Sequence, residues 1–178
     1  MKRLALFTTA VLAMFWLVQT ATADSPHFKK GGEPSCTLSV SGGTATVSCT
    51  GTLSGLGNAD LVINTTLTGF ATYTCTNGGG NAAPGQNRVN VGPQTTPTTI
   101  KAGAIKNGSV TYTATGTLTA ASTVSGAAAG CPNANWTGTN PRLVVTGVEE
   151  DISQGGNLLF VETASNSAGL PGTFSLHG

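Results

Sequence analysis

The stretch Cys36-Thr-Leu-Ser-Val-Ser-Gly-Gly-Thr-Ala-Thr-Val-Ser-Cys49 decides the fold. Gly42 and Gly43 separate two runs in which apolar and hydroxyl-bearing residues alternate, the pattern of a hairpin with a two-residue turn. Such a turn pairs Ser41 with Thr44, Val40 with Ala45, Leu38 with Val47, and Cys36 with Cys49. Ser41 and Thr44 are then the hydrogen-bonded pair beside the turn. Cys36 and Cys49 therefore fall on a non-hydrogen-bonded pair, where Cα atoms approach to about 4.5 Å and a disulfide can close. The same register gathers Cys36, Leu38, Val40, Ala45, Val47 and Cys49 on one face and Thr37, Ser39, Thr46 and Ser48 on the other.

The period of two continues outward from this hairpin. In residues 61–76 the odd positions are Leu61, Ile63, Thr65, Leu67, Gly69, Ala71, Tyr73 and Cys75, with mostly Thr or Asn between them, which predicts one long strand kinked at Gly69. Residues 110–120 repeat the device, with Val110, Tyr112, Ala114, Leu118 and Ala120 alternating with threonines. Residues 142–152 and 157–163 read as a second hairpin around Gln154-Gly155-Gly156-Asn157, and residues 172–176 as an edge strand. No segment carries sustained helical periodicity with caps. The expectation is an all-β chain: a single immunoglobulin-like β-sandwich over residues 35–178, stabilised by two disulfides, with residues 24–34 as a flexible tail. The Cys-Trp-Cys order of true immunoglobulin domains is absent, because Trp136 follows the last cysteine.

Four cysteines make two bridges, and with Cys36 joined to Cys49 the second pairs Cys75 with Cys131. That bridge closes a long loop and removes about 4 kcal/mol of denatured-state entropy on the chain-entropy model.

Residues 1–23 read as a secretory signal: Lys2 and Arg3 at the start, an apolar run from Leu4 to Val18, and Ala21-Thr22-Ala23 as a small-x-small cleavage site. The run of about 15 residues falls short of the roughly 20 that span a bilayer. The mature protein is therefore expected to be secreted and extracellular, with no membrane insertion after cleavage, and the short basic start is of the bacterial kind. Without Lys2 and Arg3 the chain holds 6 basic and 7 acidic residues, no surplus with which to neutralise phosphates, so nucleic acid is excluded as a partner.

Enzymatic chemistry has little to work with. The two histidines, His27 and His177, lie in the two tails, and the cysteines are expected to be oxidised, so no Ser-His-Asp or Cys-His set is foreseen, and no cofactor. The one acidic cluster is Glu149-Glu150-Asp151 with Glu162. Pairing Gln154 with Asn157 sets Glu149 opposite Glu162 with Asp151 on the same face, a calcium candidate of Glu149, Asp151 and Glu162 that depends on this register. Thr111, Thr113, Thr115, Thr117 and Thr119 form a rank of the kind that orders water on ice-binding faces. Such faces need several ranks stacked in register, and no short repeat supplies them, so these threonines are read as the wet side of a strand.

The binding candidate is the pair of loops expected at the second disulfide. Residues 75–87 and 130–136 are too rich in Gly, Pro and Asn for regular structure, and a bridge between them brings Asn77, Asn81, Gln86, Asn133 and Asn135 toward Trp136. Amides beside an exposed ring form the chemistry of a sugar-binding surface, and the expected partner is an extracellular glycan or cell-wall polymer. The same residues also serve as ordinary turn formers. The alternatives are a small-ligand carrier, which needs an apolar cleft lined by aromatics, and an inhibitor of secreted hydrolases, which needs one rigid exposed loop.

The runs C-T-N-G-G-G-N-A-A-P-G-Q-N at residues 75–87 and G-C-P-N-A-N-W at residues 130–136 resemble the two signatures of a group of short secreted bacterial proteins of unknown function. The likeness spans residues 36–160 and includes the Gln154-Gly155-Gly156 turn. It implies a signal peptide, two disulfides and a β-rich domain, and it brings no activity, substrate or catalytic residue with it.

Overall fold

The computed structural model describes residues 25–178; the proposed signal segment lies outside them. Among these residues eleven strands form two sheets. In the first, β2 (Ser35–Ser41) and β3 (Thr44–Ser54) make the hairpin in the register expected, from Ser41 against Thr44 to Cys36 against Cys49. Only Gly42 of the turn has positive φ, +57°, which suits glycine at the first central position of a type II′ turn. Gly43 is needed for closeness: a Cβ there would lie 2.6 Å from Pro141 Cγ. Cys36 and Cys49 are bridged with Cα atoms 4.0 Å apart, and Cys75 and Cys131 with Cα atoms 5.7 Å apart.

On its other side β3 pairs antiparallel with β7 (Val110–Thr119), and β11 (Thr173–Ser175) extends the sheet beyond β2. The second sheet is built on β4 (Leu61–Thr76), flanked by β6 (Val89–Ile100) and β9 (Thr137–Gln154), with β10 (Asn157–Ser165) outside β9. Three short strands complete the two sheets: β1 (His27–Phe28), β5 (Ala82–Pro84) and β8 (Val124–Ser125). The order β2-β3-β7 against β6-β4-β9-β10 is the immunoglobulin arrangement, with A-B-E facing C′-C-F-G. Strand β4 is long and irregular beside Gly69, as expected, because Gly69 lies against the Val144 carbonyl and leaves no room for a Cβ.

Three features depart from the sequence reading. Strand β6 was not foreseen, because Pro93 and Pro97 obscure its alternation; as an edge strand it tolerates residues that cannot donate to a ladder. Residues 24–34 do not hang free where they are described. Strand β1 pairs with β3, Phe28 packs on Phe160 at 4.8 Å, and Thr52 exchanges backbone bonds with Lys29 and Gly32. His177 likewise is no loose tail residue, since it forms a β-bridge with Thr163 while the neighbouring Leu176 is fully buried.

The intersheet space is filled by two clusters. One gathers Cys36, Val47, Cys49, Leu67, Tyr73, Leu118, Val145 and Leu176, and the other Leu53, Leu61, Ile63, Tyr112 and Ile152. The second disulfide spans 56 residues and the first 13, so on the entropy model they contribute about 4 and about 3 kcal/mol. Removing Cys75 and Cys131 together should therefore lower the unfolding free energy more than removing Cys36 and Cys49, read from denaturant midpoints; the reverse order would show that native packing around the hairpin bridge outweighs loop closure.

Candidate functional site

The two loops singled out in the sequence do meet. The backbone N–H of Gln86 donates to the Gly130 carbonyl at 3.4 Å, that of Asn87 to the Ala129 carbonyl at 3.1 Å, and Asn87 Nδ2 to the Ala127 carbonyl at 3.4 Å, beside the Cys75–Cys131 bridge. A single helical turn, α1 (Gly126–Ala129), carries the second loop, its N-terminus capped by Ser125 Oγ and its end closed by Gly130 at φ +67°. Much of the amide chemistry is local. Asn77 Oδ1 accepts from the backbone of Gly79 and Asn81, both at 3.0 Å, and Asn133 Oδ1 from that of Asn135 at 3.0 Å, the Asx turns of ordinary loop structure. Gln86 Nε2 donates to the Pro84 carbonyl at 3.2 Å. The amide heads of Asn81 and Asn135 belong to exposed residues. Trp136 is half-buried against the first core cluster and is not the free platform the sequence suggested.

Beside these loops lies a polar cleft of about 260 Å³, which sequence reasoning missed. It is lined by Thr72 and Thr74 of β4, Asn140 and Arg142 of β9, and Pro84 and Gly85 of the first loop. The alternation of β4 and β9 supplied the signal that these side chains face outward. Nothing in the sequence said that Arg142 stands next to Thr72, as it does in the β4–β9 ladder.

The calcium candidate does not form. Strand β10 bulges between Leu158 and Phe160, so that Leu159 and Phe160 both pack against the second cluster, and the pairing beyond slips by one residue. Glu162 then faces Glu150 across the ladder and Thr163 faces Glu149. Because a one-residue slip turns side chains to the other face, Glu162 points inward with Glu150 while Glu149 stays outside. Among the described residues no three His, Cys, Asp or Glu side chains converge as metal ligands.

That slip buries a carboxylate between the sheets. Glu150 is 0% exposed; Tyr112 of the facing sheet donates to its Oε2 at 3.0 Å and Thr65 to its Oε1 at 3.4 Å. Desolvation raises its pKa from 4.5 to about 7, with the two hydrogen bonds pulling the other way and Glu162 adding to the rise. Tyr112 is pushed up as well, by burial first and then by the Glu150 charge. Nearby, Gln154 accepts from Gly57 N at 2.8 Å and donates to the carbonyls of Gly57 and Ala59 at 3.0 and 2.9 Å, which gives the Gln154-Gly155-Gly156 motif a structural role in holding the β3–β4 connection.

The outer face of the first sheet also differs from expectation. Strand β3 sets Thr44, Thr46, Ser48, Thr50 and Thr52 directly beside Thr119, Thr117, Thr115, Thr113 and Thr111. Two hydroxyl ranks are thus stacked in register without any sequence repeat, and at one end Thr50 bonds Thr113 at 3.1 Å and Thr52 bonds Thr111 at 3.0 Å.

No family model and no curated protein matches this chain. Among solved structures, the crystal structure of Bacteroides uniformis beta-glucuronidase is similar over 80% of this chain at 16% identity and a TM-score of 0.35. The chain spans 14% of the length of that protein.

Glu150 makes stability depend on pH with a definite sign. Between about pH 4.5 and 7 the native state holds a proton that the unfolded chain has released, so stability falls as pH rises through that window and levels off above it. The fall should be on the order of 3 kcal/mol. Glu150→Gln should flatten the profile and raise the denaturation midpoint at pH 8, and an unchanged slope in the variant would assign the titration elsewhere.

Proposed function

We propose that this chain is a non-catalytic extracellular recognition module that binds an acidic glycan at the loop-bearing end of its second sheet. The observation that carries this reading is the polar cleft of Thr72, Thr74, Asn140 and Arg142, rimmed by Pro84 and Gly85 of a loop braced by Cys75–Cys131. A guanidinium and two hydroxyls suit a sugar carboxylate with its neighbouring hydroxyls, and the covalent brace lowers the ordering cost of binding. Asn81, Gln86 and Asn135 are exposed on the two loops, Asn77 and Asn133 shape the turns of those loops, and Trp136 is half-buried against the first core cluster. The two disulfides suit an oxidising compartment, and among the described residues no helix is long and apolar enough to cross a membrane. A carrier would need open apolar space between the sheets, where the two core clusters lie instead.

Binding to arrayed acidic and neutral glycans and to isolated bacterial cell-wall polymer tests the reading. Wild type should favour acidic glycans, Arg142→Ala should weaken binding by about tenfold or more, and Trp136→Ala by several-fold, from the loss of about 1 kcal/mol of ring contact. Wild type that binds neither probe, or an Arg142→Ala variant that binds as wild type does, would refute it.

The in-register Thr ranks favour a second reading, an ordered water or ice surface as ligand of the first sheet. Along each strand equivalent residues recur about every 6.8 Å and the ranks lie about 4.8 Å apart, a regular two-dimensional array of hydroxyls. Wild type should then inhibit ice recrystallisation and Thr115→Lys should not; inactive wild type would leave these threonines as the solvated side of the sheet.

A further inference from the structure

Glu162 is only 7% exposed, and among the described residues its carboxylate carries neither a hydrogen bond nor an ion pair; His177 offsets its charge from a distance, Glu33 opposes it, and its oxygens are not sealed from solvent. Across the β9–β10 ladder it stands directly opposite Glu150. Two like charges in that position repel, and a carboxylate largely withdrawn from water favours any donor that reaches it. Glu150 is relieved by Tyr112 and Thr65; Glu162 has no such donor. What it has instead is an opening. It lines a groove of about 520 Å³ beside β10 together with Phe28, Leu159, Phe160 and Val161 and with Glu33, His177 and Gly178. Phe28 and Phe160 form a tilted ring pair with centroids 4.8 Å apart, so one wall of the groove is hydrocarbon and the other is acid.

This pairing of surfaces selects among ligand classes. An anion would meet Glu33 and Glu162 together. A neutral apolar molecule would cover the rings and leave the carboxylate without a donor, deepening the desolvation that already raises its pKa. A metal ion needs ligands that converge, and Glu33, Glu162 and His177 do not. A cation with a hydrocarbon body satisfies both walls, since an ammonium supplies up to three donors to the carboxylate while its chain lies along Leu159 and the ring pair. We propose that this groove is a binding site for an alkylammonium group, with Glu162 as its counter-ion and Leu159, Phe28 and Phe160 as its apolar floor. The site shares no residue with the glycan cleft and stands independently of that reading. The same chemistry could arrive as a free aliphatic amine or as a lysine side chain of a peptide.

The test is an NMR titration of the intact protein at pH 7.5 with n-hexylamine, with n-hexanol as the neutral counterpart. Hexylamine should shift the amides of Leu159, Phe160 and Glu162 saturably, hexanol should not saturate, and Glu162→Gln should weaken hexylamine binding at least tenfold with the remaining spectrum unchanged. Methylamine on the wild type gives a readout that needs no variant: it lacks the hydrocarbon and should bind at least tenfold more weakly than hexylamine. Nα-acetyl-lysine amide then separates the two sources, matching hexylamine if the groove takes a lysine side chain and falling well below it if the ligand is a free amine. Equal binding of hexanol and hexylamine, no saturable shift with hexylamine, or a Glu162→Gln variant that binds hexylamine as wild type does would overturn the proposal.

Discussion

The turn at Gly42-Gly43 is the point from which the two sheets are held in relation to each other. Its carbonyls accept from backbone groups of distant segments: Gly43 O from Ala120 N at 2.8 Å, just past β7, and Gly42 O from Leu143 N at 3.1 Å, in β9. The hairpin thus carries the register of the first sheet and also touches the central pair of the second. A side chain at Gly43 would strike Pro141, and one at Gly42 would be strained by its positive φ, so a short glycine pair is what allows this approach. Gln94 repeats the stitching close by, its side-chain amide donating to Thr119 O and accepting from Thr119 N, both at 2.9 Å.

With the strands so held, the small-residue composition becomes intelligible. Only seven aromatic residues follow residue 23, and Tyr112, the largest of the fully buried side chains, fits because Gly51 faces it across the ladder, where a Cβ would lie 2.7 Å from the ring. The phenol then reaches Glu150 on the facing sheet. A polar core of this kind is more demanding than an apolar one, since each member must find its partner. Tyr112, Thr65 and Glu150 do so, while Glu162 turns to the surface groove.

Strand alternation, glycine turns and cysteine spacing are local signals, and they were legible. They specified the β2–β3 hairpin residue for residue, the extent of β4 and β7, and the disulfide pairing, because period two and turn geometry act over a few neighbouring residues. Legibility ended where a single inserted residue changed the outcome. Leu159 fits the alternation of residues 157–163 well enough to be counted as an ordinary strand position; its bulge follows from packing beside Phe160 on the second cluster. That one residue dissolved the calcium candidate and turned Glu162 to the face of Glu150, where it borders the groove beside β10.

By itself, then, the sequence determined the class of the fold, its covalent clamps and which side of most strands would be wet, since these depend on neighbours along the chain. Partnership between strands far apart in sequence was decided by the tertiary structure alone. Thr46 beside Thr117, Arg142 beside Thr72 and Phe28 against Phe160 each join segments at least 70 residues apart. No periodicity encodes such pairings, because they arise when two sheets choose the one arrangement that fills the space between them. The candidate surfaces described above are assembled at those pairings.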